Sequence, residues 1–143
     1  MPPIRCHAVT GQMGMTLLDI PALPGERFGM GFPEAIGDTN RTVWLNQSQP
    51  EWTQLEGGAW KQTGRWEGEL SYALTVEPQE DAVDVRQSVT NQSNRDWPNS
   101  LAFNCFQCGG APSVRDHECV RHWVAAGGQL KRLIEIPRQF SPR

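Results

Sequence analysis

The stretch Glu69–Glu77, ELSYALTVE, decides the fold class. Leu70, Tyr72, Leu74 and Val76 fall on one side of an extended chain, and Ser71, Ala73 and Thr75 fall on the other. That period of two belongs to a half-buried β-strand; an amphipathic helix would repeat its apolar positions at 3.6. Pro78 has no N–H for a ladder and ends the run, and the polar PQEDA segment supplies a turn.

Working outward, the same pattern returns. In AVDVRQSVTN, Val83, Val85 and Val89 share one side, with Asp84, Arg86, Ser88 and Thr90 on the other. NQSNRDWPNS is a cluster of turn formers, after which SLAFNCFQ reads as a third strand that GGAP breaks. RHWVAA and QLKRLIEIP flank Gly127-Gly128 and predict a hairpin. Toward the N-terminus, RTVWLN and Met13–Ile20 each predict a strand, while PALPGERFGMGFPEAIGD reads as loop with several turns. The 11 prolines and 14 glycines leave no long helical period uninterrupted. These signals predict an all-β, antiparallel β-sandwich in a single domain over residues 1–143, with 1–40 an irregular lead-in.

At 143 residues with 38% hydrophobic and 20% charged residues, the chain has the balance of a folded domain. A net charge of −3 with scattered cations predicts no nucleic-acid partner, and no apolar stretch predicts a membrane span. The N-terminal MPPIRCHAVTGQMGMTLLDIP lacks the apolar run of a secretory signal, so the four cysteines are expected as reduced thiols in a cytoplasmic protein. The 6 tryptophans include Trp44, Trp52, Trp60 and Trp66 at near-regular intervals. They read either as core residues or as flat platforms for a planar ligand such as a sugar ring.

Asn104–His122, NCFQCGGAPSVRDHECVRH, holds three of the four cysteines and two of the three histidines. Cys105 and Cys108 have the spacing of zinc ligands, with His117, Cys119 and His122 as further donors. Against a metal stands the strand: if LAFNCF continues to Cys108, the two thiols point to opposite faces. Cys105, in line with Leu101 and Phe103, is then expected as a small buried hydrophobe, and neither metal nor cofactor is expected. Cysteine nucleophilic catalysis with His117 or His122 as base finds no surrounding motif.

The segment Val83–Cys108, VDVRQSVTNQSNRDWPNSLAFNCFQC, resembles the galactose mutarotase-like sandwich family of aldose epimerases and their relatives. The match runs from about Leu70 to Gln107; Asp96–Arg143 is more loosely similar to uncharacterised bacterial proteins of that type. The resemblance implies a concave sheet that carries a sugar. It also implies that the chain corresponds to the N-terminal part of the family's sandwich, since it stops at PRQFSPR directly after a strand. In those epimerases a histidine is the general acid and a late carboxylate the base. Here the acid's position falls on Asn104, which cannot exchange a proton at neutral pH, and the late carboxylate has no counterpart.

The expectation is therefore binding of a carbohydrate or polyol without epimerisation. Asn104 would hold a hydroxyl, Phe106 would cover an apolar face, Arg115, Asp116 and His117 would form a polar rim, and Arg41 would echo the family's Asn-Arg pair. Two alternatives are an epimerase or lyase relative using His117 as acid and base, and an interaction module with a zinc site in Cys105–His122. Open sheet edges would favour a homo-oligomer.

Overall fold

The computed structural model describes residues 4–9, 14–45 and 50–136. Its strands are β1 (Arg5–Ala8), β2 (Gly14–Leu18), β3 (Arg27–Gly37), β4 (Thr42–Trp44), β5 (Trp52–Gln54), β6 (Trp60–Trp66), β7 (Leu70–Pro78), β8 (Val83–Asn91), β9 (Leu101–Gly110), β10 (Trp123–Ala126) and β11 (Gln129–Arg132). Every strand pairing is antiparallel, and no α-helix occurs among the described residues. The chain divides into two compact units, Met1–Pro112 and Ser113–Arg143.

The first unit is built from two sheets. One runs β5-β6-β7-β8. In the other, β3 pairs with β9 along one edge, while β2 and β4 share its opposite edge and β1 pairs with β2. The β7 strand alternates buried and half-buried along its length, as its sequence pattern dictates. Its inward row meets the β1–β4 and β9 sheet in a core of Ile36, Leu45, Leu70 and Tyr72, with Val43, Trp66 and Trp97 packed around it.

Residues 1–40 are not an irregular lead-in: they carry β1, β2 and the 11-residue β3. Three glycines and a proline hide that strand in the sequence. Pro33 lies at the register shift between Gly31 and Ala35, where the β3–β9 ladder is interrupted and a missing N–H matters least. Gly37 lies where the β4 backbone approaches too closely for a Cβ.

The tryptophans divide between the two readings. Trp52 is buried, Trp60 donates its Nε1–H to the Cys6 carbonyl at 3.0 Å, and Trp66 packs on the core. Trp44 is exposed and stacks on Phe103 with ring centroids 6.2 Å apart.

In the second unit, β10 and β11 form the hairpin expected around Gly127-Gly128. Both glycines have positive φ, 60° and 75°, as a two-residue type I′ turn requires. No helix among the described residues is long and apolar enough to cross a membrane.

Candidate functional site

Partners across an antiparallel ladder share a face, so the registers assign the side chains of β8 and those of β9 as far as Gln107. Val83, Val85, Gln87 and Val89 lie opposite Pro78, Val76, Leu74 and Tyr72, and so belong to the inward face. Ala102 lies opposite Ile36 and Phe106 opposite Met30, so Ala102, Asn104 and Phe106 also line the inward face. Yet Val85, Val89 and Phe106 are exposed. At the β8 and β9 flank the two sheets leave an open slot of ≈ 380 Å³, within the range of about 300–1,000 Å³ typical of small-molecule sites.

One wall of the slot is Gln87, Val89 and Asn91 of β8; the other is Ile36 of β3 with Leu101 and Ala102 of β9. Trp97 and Ser100, from the connection between β8 and β9, close one end. Trp97 is held by a network that starts at Asp38. The buried Asp38 carboxylate accepts the N–H groups of Asn40 and Arg41 at 2.8 Å each, and it pairs with the Arg95 guanidinium. Burial alone would raise this carboxyl; those hydrogen bonds and the Arg95 charge outweigh it and hold the group ionised below its ordinary range.

Arg95 lies 5.6 Å from the centroid of the Trp97 ring, whose Nε1–H donates to Ser93 Oγ at 3.2 Å. Asn91 completes the loop: its Oδ1 accepts the Ser93 N–H at 2.9 Å, and its Nδ2 donates to the Arg95 carbonyl at 2.7 Å. Gln87 stands apart, because its Nε2 is buried with no hydrogen-bond partner.

No protein-family model, no curated protein and no solved structure matches the chain. The chemistry of the slot therefore rests on its own residues.

Of the residues singled out from sequence, Asn104 and Phe106 continue the slot wall along β9, sharing the inward face with Ala102. Phe106 stacks on Phe28 with centroids 5.1 Å apart. Arg41 is tied down beside the network: its guanidinium pairs with Glu69 at 2.5 Å while its N–H serves Asp38. Arg115, Asp116 and His117 belong to the second unit. There Asp116 organises its own loop, accepting the Val120 and Arg121 N–H groups at 3.1 and 2.6 Å and contacting His122 Nδ1 at 2.8 Å. His117 is exposed. The slot residues that sequence reasoning missed are Gln87, Trp97 and the Asp38–Arg95 pair. Gln87 left a signal, as the one polar residue in the valine row of β8, and Trp97 another, as the one aromatic in NQSNRDWPNS.

The cysteines correct one expectation. The β9 strand does extend past Cys108, but its register shifts between Gln107 and Gly110, so alternation assigns a face to Cys105 and none to Cys108. Cys105, however, is exposed rather than core, within a run from Ala102 to Gln107 that is exposed on both faces, and its thiol donates to Glu34 Oε2 at 3.1 Å. That hydrogen bond foremost, then desolvation and the Glu34 charge, push the thiol upward and away from the nucleophilic thiolate. Cys6 is pushed up to about 11 by burial. All four thiols are free, and no three His, Cys, Asp or Glu among the described residues form a group that could hold a metal.

The Asp116 loop makes a pH prediction. Desolvation raises its carboxyl, but the His122 contact and the Arg121 and Val120 N–H groups outweigh that and hold it at about 2. A depressed carboxyl stabilises the folded loop above its unfolded value of about 4, and this contribution is lost as pH falls toward 2. In an acid titration followed by ¹⁵N NMR, the Val120 and Arg121 amides should shift with a midpoint near 2. A midpoint near the ordinary carboxylate value would remove Asp116 from that role.

Proposed function

We propose that the first unit binds a neutral carbohydrate or polyol in the slot between β8 and β9, in the cytoplasm and without epimerising it. The observation that carries this reading is Gln87: a buried amide donor with no protein partner, on the wall of a slot that also presents Asn91 and Ser100 beside Ile36, Val89, Leu101 and Trp97. A buried donor left unmade costs about 1–3 kcal/mol, so a ligand hydroxyl that accepts from it gains that difference. A sugar ring offers such hydroxyls on its rim and C–H faces to meet Ile36, Leu101 and the Trp97 indole. Asn104 stands two residues beyond Ala102, about 7 Å along the strand, where it would meet a second hydroxyl.

Epimerisation needs an acid and a base on opposite sides of the hemiacetal. The residues lining the slot include no titratable side chain, and the nearby Asp38 is committed to Arg95. This agrees with Asn104 standing where the galactose mutarotase-like family keeps its acid, and that resemblance supports the same scaffold here.

Titration with a panel of monosaccharides and polyols, followed by ¹⁵N NMR, tests the reading. Shifts should concentrate at Gln87, Ser100 and Ala102, with affinity of roughly millimolar order. Gln87→Leu keeps the bulk of the side chain but removes the donor, and should weaken binding about tenfold. Absence of shifts at these positions with every ligand, at tens of millimolar, would end the proposal.

A further inference from the structure

We propose that β9 is a self-pairing edge, through which two copies of the chain join their sheets antiparallel about a twofold axis. Among the described residues β9 pairs with β3 alone, and Ala102–Gln107 are all exposed. In an antiparallel ladder, alternate residues direct their N–H and C=O toward opposite neighbours. About half of β9 therefore presents both groups to an open edge, where another extended strand can replace water as their partner.

The chemistry of the strand selects a second copy. Across ten residues, LAFNCFQCGG, β9 carries no charge and no proline. It lacks the lysine, proline or inward charge that blunts a solvent-facing edge. The other long outer strand, β8, does carry charges, Asp84 and Arg86 on its outward face, and the outer strands β1 and β5 span only 4 and 3 residues. Two uncharged strands approach without like-charge repulsion.

A twofold axis perpendicular to the sheet keeps each face on its own side. The Ala102, Asn104 and Phe106 row therefore meets the same row of the copy, and Phe103 with Cys105 meets its own. Asn104 suits this arrangement, since an amide both donates and accepts and can pair with its own kind. The aromatic pairs also fit. Phe103, 51% exposed, stacks on Trp44 on the outer face, and Phe106, 57% exposed, stacks on Phe28 on the inner one. Adding a strand beside β9 covers both rings at once.

The test needs no ligand, so its outcome is independent of the slot's function. Sedimentation velocity across a wide concentration range should show a dimer, and hydrogen exchange at high concentration should show added protection at 101–107. Asn104→Lys and Asn104→Asp each place like charges at the pairing edge. Both should be monomeric, with far-UV circular dichroism unchanged. Asp84→Lys, on the β8 edge, should leave the dimer intact. A wild-type monomer at every concentration would overturn the proposal. So would a dimer that survives both Asn104 variants, or protection that appears on β8 instead of β9.

Discussion

Gly37→Ala should be among the most damaging single substitutions in this chain, costing about 4 kcal/mol, in the extreme tail of point mutations. Gly37 ends β3 at the turn into β4. A Cβ there would lie 2.1 Å from the Arg41 carbonyl oxygen and 2.8 Å from the Thr42 Cα. Both are backbone atoms, so no rotamer change relieves the contact. The strands must separate, which breaks the Asp38 N–H to Arg41 carbonyl bond of 2.9 Å and moves the N–H groups that hold the Asp38 carboxylate. Arg95 and Trp97 then lose their anchor, and the slot its end wall. Gly109→Ala is the matched control: nothing lies within 4 Å of its Cβ, and its stability should stay within about 0.5 kcal/mol of wild type. Urea denaturation of the two variants measures the contrast. If Gly37→Ala unfolds within about 1 kcal/mol of wild type, the close approach of β3 and β4 is wrong.

The second large effect is at Leu74. This side chain is fully buried at the middle of β7, with Gln62 and Gln87 beside it across the two neighbouring ladders. Truncation to alanine removes its transfer free energy and leaves a cavity, a cost of about 2–5 kcal/mol for such a site. At roughly 3 °C per kcal/mol for a chain of this size, thermal unfolding should come about 6–15 °C lower. Thr75→Ala, one residue along and on the opposite face, removes no core atom and should shift the midpoint by no more than about 2 °C. Equal shifts in the two variants would mean that the alternation of β7 does not divide core from surface.

That alternation was the most legible part of the sequence. Leu70, Tyr72, Leu74 and Val76 write their burial directly, because β7 is central in its sheet and covered on one face. The faces of β8 and β9 were legible too, but not their exposure. Periodicity says which residues share a side, never whether another layer covers that side, and this is why Cys105 was misjudged. The β3 strand was illegible for a different reason. Gly29 and Pro33 answer to a close approach and a register shift against β9, far along the chain, and Gly37 to the β4 backbone just past the turn. The slot was half legible. Asn104 came from a resemblance and Gln87 stood out in its row, but the Asp38–Arg95 pair joins two polar turns that nothing local connects.

The pairing of β3 with β9 also has a consequence for how the chain is made. Ala35 is matched to Phe103, so one edge of β3 waits for roughly 70 further residues before its partner exists. At about 5–20 residues per second, that interval on the ribosome lasts about 4–14 s. In that time β2 and β4 can close the opposite edge and β7 can pair with β6 and β8, all through short connections. The nascent chain thus carries one half-finished sheet behind a nearly complete one. The arrival of Leu101–Gly110 is the event that turns synthesis into a folded unit.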